Sequence, residues 1–264
     1  MGTSKSNIGP KGKSSPVPPW PEDNNDRPED DQQNDNNQNN NEEEVEELRP
    51  WADVKRAYTK FIKEPSKTSF KKLTSNYRNA NGGNKTLSKS SFGGRKGAKI
   101  LLHFLSSVSK NGFEEACREF NLDSLSGLTT EEAINKLCSL FEEIDGTDEG
   151  SAAKGAAVET INQLYENYEG DIDLINNIEI EQISEYLSLY LSNYIFERLS
   201  IEVSRALENE TFTKDQVINA NDTLKDYIQA EVDFQFSEND FSALNIQEQN
   251  AMVTEIFTQA YSMI

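Results

Sequence analysis

From Leu48 onward the apolar residues recur three and four positions apart, and no stretch sustains the every-second-residue alternation of a half-buried strand. That periodicity restricts this part of the chain to packed helices. Trp51, Val54, Tyr58, Phe61 and Ile62 share one helical face, with Pro50 suited to the first turn and Pro65 ending it. Ser66 caps a second helix, with Phe70, Leu73 and Tyr77 inward and Lys67, Lys71, Lys72 and Arg78 outward. Asn81-Gly82-Gly83-Asn84 is a turn. The residues 84–97 that follow are Ser/Lys-rich and include Phe92-Gly93-Gly94-Arg95-Lys96-Gly97; Ser91 to Lys99 reads as a flexible basic loop. Helical spacing resumes at Ala98 with Leu101, Leu102, Leu105 and Val108, and Asn111-Gly112 stops it. A shorter helix carries Phe113, Cys117 and Phe120.

Thr129 with Glu132, and Thr213 with Gln216, are capping boxes that mark two further helix starts. The first helix bears Ile134, Leu137, Cys138, Phe141 and Ile144 up to Gly146; the second bears Val217, Leu224, Ile228 and Val232. An Ala-rich helix is expected from Glu149 to Tyr168, a long apolar one from Ile180 to Leu207, and a last one from Ile246 to Ile264. The expected fold is all-α: a helical body over residues 48–264, preceded by a disordered N-terminal tail.

The charge is distributed in blocks. Residues 1–20 carry three lysines and no acid, and residues 21–47 carry twelve acids against Arg27 alone. Residues 48–120 carry sixteen bases against five acids, whereas residues 121–264 carry six bases against twenty-nine acids. Such blocks point to interaction surfaces rather than to a fold. The Asn/Asp/Glu-rich run 21–47 cannot bury enough apolar surface to offset its ordering entropy, so it reads as a disordered tether. No stretch approaches the ~18 apolar residues of a membrane span, and no apolar segment of a secretory signal follows Met1, so a cytoplasmic chain is expected.

Most catalytic chemistry lacks its residues. His103 is the sole histidine, which excludes a metal site built on several imidazoles. Cys117 and Cys138 sit on apolar helical faces and read as buried reduced thiols. The carboxylates read as solvated helix faces, with no pair marked as an acid–base couple. Ser91 to Lys99 resembles a phosphate-cradling turn, but it lacks the P-loop spacing and no strand precedes it. With Lys67, Lys71, Lys72 and Arg78, the cations Arg95, Lys96 and Lys99 form a basic surface that suits an acidic protein better than nucleic acid. No catalytic residue, metal or cofactor is expected.

The tail holds the most specific chemistry. Removal of Met1 exposes the Gly2 amine, whose pKa of about 7.7–8 leaves a sizeable neutral fraction near pH 7, while a lysine at about 10.4 stays protonated. Gly2 through Ser6 also fits the short myristoylation pattern, a poor reading for a chain with no other membrane feature. Pro16, Pro18, Pro19 and Pro21 stiffen the segment around Trp20 toward polyproline II, which suits docking into a groove with Trp20 as anchor.

Met1-Gly2-Thr3-Ser4, then Gly9-Pro10 and Gly12, then Pro16-x-Pro18-Pro19-Trp20, resembles the N-terminal signature of the QatB family of the Qat anti-phage defence system. The resemblance continues loosely through the basic block with Gly82-Gly83 and into a helical half with an aromatic-apolar end, Ile256 to Ile264. It implies a non-enzymatic subunit working with a QueC-like enzyme, an ATPase and a TatD-like nuclease. It implies further that the QueC-like enzyme attaches a deazaguanine carboxylate to Gly2 as an amide. Thr3, Ser4, Gly9, Pro10 and Gly12 would then thread that enzyme, and Pro16, Pro18, Pro19 and Trp20 would dock at its mouth. Two other readings stay open: a helical adaptor that docks its partners without covalent change, and nucleic-acid binding through residues 55–99.

Overall fold

The structure, a computed structural model, describes residues 38–122, 128–168, 175, 178–204, 212–237 and 246–263. The chain divides into two units, Met1–Glu47 and Leu48–Ile264. Among the described residues every regular element is helical: α1 Gln38–Lys63, α2 Lys67–Ala80, α3 Asn84–Ser90, α4 Phe92–Asn111, α5 Phe113–Glu119, α6 Thr130–Cys138, α7 Asp148–Asn167, α8 Ile180–Ser204, α9 Lys214–Ser237 and α10 Ile246–Met263, with one 3₁₀ turn at Ser139–Phe141.

Local chemistry sets the starts. Ser66 accepts from the Ser69 backbone N–H and donates its own backbone N–H to Ser69 Oγ, a reciprocal cap on α2. Thr129 and Glu132 cap α6 in the same way. Thr213 and Gln216 do so at α9, and Thr147 accepts from the Gly150 N–H at α7. Gly112, at φ 87°, allows the sharp break between α4 and α5.

The centre of the body is α8. It is buried nearly all round between Tyr186 and Phe196, as expected of a helix apolar on every face. It packs along α7 and α9 and receives α4, while α10 covers α3, α4 and α9. The α1–α2 hairpin is held together by the edge-to-face pair Trp51–Tyr77 and tied to α9 by the Phe70–Tyr227 contact and by Tyr58 donating to Asn221. Each large side chain buried this way contributes on the order of 1.5–3 kcal/mol.

Four boundaries differ from the sequence reading. The backbone of α1 is helical from Gln38, so Pro50 lies inside it rather than in its first turn. Ser91 to Lys99 is not a loop: from Phe92 it forms the start of α4, because packing and a distant cap supply what the glycines lack, and residues 84–90 before it form α3. The α6 helix stops at Cys138, and a 3₁₀ turn then bends the chain so that both Phe141 and Ile144 reach the core, well before Gly146. The long helix α8 runs from Ile180 to Ser204; the expected residues 205–207 lie outside the described residues.

Candidate functional site

Gly2, Thr3, Ser4, Gly9, Pro10, Gly12, Pro16, Pro18, Pro19 and Trp20 lie outside the described residues, as does the tether up to residue 37. The basic residues are placed, and they part into two groups. Lys67, Lys71 and Lys72 stand exposed on the outer face of α2. Lys72 also lines a groove of about 480 Å³ between α1 and α2, together with Arg56 and Lys60 and the acids Asp53 and Glu64.

Three of the remaining cations, Arg78, Arg95 and Lys96, donate to acceptors of the same chain. Arg78 donates to the Ser262 carbonyl near the end of α10. Arg95 donates to the Ser88 and Lys89 carbonyls in the last turn of α3, where a cation suits the helix dipole, and lies over the Phe92 ring at 5.2 Å. Lys96 donates to both the backbone carbonyl and the carboxylate of Glu143, at 3.0 and 3.2 Å. Lys99 stands near His103, whose pKa is lowered by burial first and by the Lys99 charge second. The His103 Nε2 lies 3.2 Å from Asn250 Nδ2.

The glycines of the basic segment sit at the middle of a buried polar network. Gly93 and Gly94, in the first turn of α4, donate their backbone N–H groups to the two oxygens of Glu149, each at 2.8 Å. Orphan donors of a helix N-terminus are thus satisfied by a carboxylate from the first turn of α7. This is the anion position that the sequence likens to a phosphate cradle, filled from within. Glu149 also accepts from the Tyr194 hydroxyl at 2.6 Å.

From Tyr194 the network runs to Arg198, a guanidinium only 5% exposed. Arg198 donates to Glu202 at 3.0 Å, to Ser90 and Ser91 at 2.9 Å each, and to Tyr261 at 3.4 Å. Helices α3, α4, α7, α8 and α10 are joined through these few groups. Burial, then the charges of nearby groups, raise the Tyr77 and Tyr194 phenols well above the ordinary range, and burial and Glu149 do the same to Tyr190. The contacts that these groups make tie helices to one another.

Sequence reasoning missed Glu149, Arg198 and Glu202, reading the carboxylates as solvated. Glu202 is in fact buried, its side chain 7% exposed. The available signal was Arg198 itself, a cation inside the most apolar run of the chain. The cysteines are free; burial pushes the Cys117 thiol up to about 11, aided by Glu114, and raises Cys138. Among the described residues no group of three or more His, Cys, Asp or Glu side chains is placed to hold a metal ion.

A protein-family model described as "Qat anti-phage system associated protein QatB" matches residues 82–264. The match starts at the Gly82-Gly83 turn and takes in the whole buried network. No curated protein and no solved structure matches.

Proposed function

This chain belongs to the QatB family and takes part in Qat anti-phage defence; from that premise we propose that it is a non-enzymatic subunit that presents residues 1–20 to a QueC-like partner, with Gly2 as the residue modified. The partner activates a deazaguanine carboxylate as its adenylate. The Gly2 nitrogen attacks the acyl carbon, AMP leaves, the nitrogen gives up one proton, and an amide remains. Thr3, Ser4, Gly9, Pro10 and Gly12 form the thin thread that enters the partner, and Trp20 with Pro16, Pro18 and Pro19 anchors it.

The observation that carries this reading is the state of the body's own nucleophiles. Both thiols and the buried phenols are raised, and so are protonated at neutral pH. An unblocked glycine amine at about 7.7–8 has a sizeable neutral, nucleophilic fraction near pH 7. The need for ATP and the reduced thiols suit a cytoplasmic chain; among the described residues no helix is long and apolar enough to cross a membrane.

Intact-mass measurement on chain co-produced with its system tests the proposal. The expected result is a mass above that of the Met-cleaved chain, localised to residue 2 and absent from Gly2→Pro. The unmodified mass, with the partner active and its substrate present, overturns it. A second reading, docking without covalent change to system partners such as the ATPase or the nuclease, is favoured by the exposed Lys67, Lys71 and Lys72. It expects partner binding to survive Gly2→Pro and to fall when these three are changed to glutamate. Nucleic-acid binding is the weaker option, because Arg78, Arg95 and Lys96 already donate to acceptors of the same chain.

A further inference from the structure

Two exposed faces of the helical body carry opposite charge around an exposed apolar side chain. One is the corner between α3 and α4. Phe92 there is 71% exposed, more than any other large hydrophobic side chain described. Its neighbours in sequence are fixed: Ser91 is fully buried and bonded to Leu87 and Arg198, and the Gly93 and Gly94 N–H groups are held by Glu149. The ring is therefore presented from a rigid support, backed by the Arg95 guanidinium. Lys85 and Lys89 are exposed on α3 just before it, and neither has a carboxylate partner among the described residues.

The other face is on α9. Asp215, Ile218, Asp222 and Asp226 follow helical spacing and form one exposed stripe, with Ile218 47% exposed. None of the three aspartates has a cation partner among the described residues. Lys214 and Lys225 border the stripe, and Lys225 is drawn to Glu159 and to the Phe196 ring. An aromatic knob among cations thus has its complement, an aliphatic spot among carboxylates, on the same chain.

We propose that the body associates with a second copy head to tail, the Phe92 corner of one copy seated on the Ile218 face of the next. The net charge of −20 repels two copies at long range. At contact, lysine and aspartate pair within a Debye length of about 10 Å in ~0.1 M salt, while charges farther apart on the two copies are largely screened. The two surfaces differ, so the contact is heterologous and can repeat into a ring or an open chain. Both patches are small, so the association is weak and concentration-dependent. This inference stands independently of any modification of Gly2.

Sedimentation velocity of the full chain tests it. In about 0.1 M salt the weight-average mass should rise with concentration above the 29.8 kDa of one chain, and in about 1 M salt it should fall back to it. Phe92→Ser and Ile218→Lys should each be monomeric alone, with unchanged helical circular dichroism and melting, since both positions are exposed. Mixed in equal amounts, they should form dimers and nothing larger, because only one intact corner and one intact face remain. A wild-type chain that stays monomeric in low salt overturns the proposal. So does assembly that survives either substitution, or a mixture that fails to dimerise.

Discussion

Gly94 donates its backbone N–H to the Glu149 carboxylate over 2.8 Å, and so ties the start of α4 to the start of α7. The same glycine lies against the Tyr194 ring so closely that a Cβ would come within 2.5 Å of it. One residue thereby sets both the polar and the apolar contact between α4 and the centre of the body.

The first consequence concerns the glycines themselves. Inside a helix, glycine normally costs up to about 1 kcal/mol relative to alanine. At Gly94 and Gly97 the order should reverse, because a Cβ at Gly97 would meet the Tyr190 hydroxyl at 2.1 Å. Overpacking of this kind costs roughly 1–3 kcal/mol. Gly155 on α7 is the control, since its nearest neighbour would be Glu197 at an ordinary 3.6 Å. Urea unfolding should show Gly94→Ala and Gly97→Ala destabilised and Gly155→Ala stabilised by a few tenths to about 1 kcal/mol.

Removing the carboxylate tests the polar half of the same contact. Glu149→Ala leaves two backbone donors and the Tyr194 hydroxyl without their acceptor. An unsatisfied buried group costs about 1–3 kcal/mol, so a loss on the order of 2–4 kcal/mol is expected. Glu149→Gln should lie between, because its amide keeps one acceptor oxygen and turns a donor toward the other N–H. Equal stability of all three forms in thermal unfolding would contradict the geometry described here.

The reach of these contacts explains what the sequence could reveal. Helical faces such as Leu101, Leu105 and Val108 are legible because burial repeats with the helix period, and the caps at Thr129 and Thr213 because both partners lie three residues apart. The segment around Gly93 and Gly94 has no such local sign. Its glycines argue for a loop, and it is helical because Glu149, 55 residues on from Gly94, caps it and because two tyrosine rings from α8 need the space a Cβ would fill. The charge of the basic surface was legible, but its division was not, since Arg78 and Lys96 meet acceptors 184 and 47 residues away.

Alkaline pH should unfold the body. The Cys117 thiol moves from an ordinary 9.0 to about 11, and Tyr77, Tyr190 and Tyr194 are all raised above 10. Each folded pKa is above its unfolded value, so the stability these groups confer is complete below about pH 9 and is lost as pH rises through the folded values. Urea midpoints should therefore fall from about pH 9 upward. The ultraviolet phenolate signal of the three tyrosines should appear together with the loss of helical circular dichroism, and not before it. At neutral pH, thiol reagents should modify Cys117 at a rate set by unfolding.

Arg198 and Glu202 form an ion pair with side chains 5% and 7% exposed. Charges this deeply buried are stabilising only together, since removing one partner leaves the other unpaired at a cost of about 3–5 kcal/mol. Arg198→Met should incur that loss, and more is expected from the donors withdrawn from Ser90, Ser91 and Tyr261. Glu202→Leu should cost less, because Arg198 keeps those neighbours. The double variant should then be more stable than the sum of the single losses predicts, with a coupling of about 1–3 kcal/mol in a double-mutant cycle. Additivity within about 0.5 kcal/mol would show that Arg198 acts through the hydroxyls of α3 and α10 and not through Glu202.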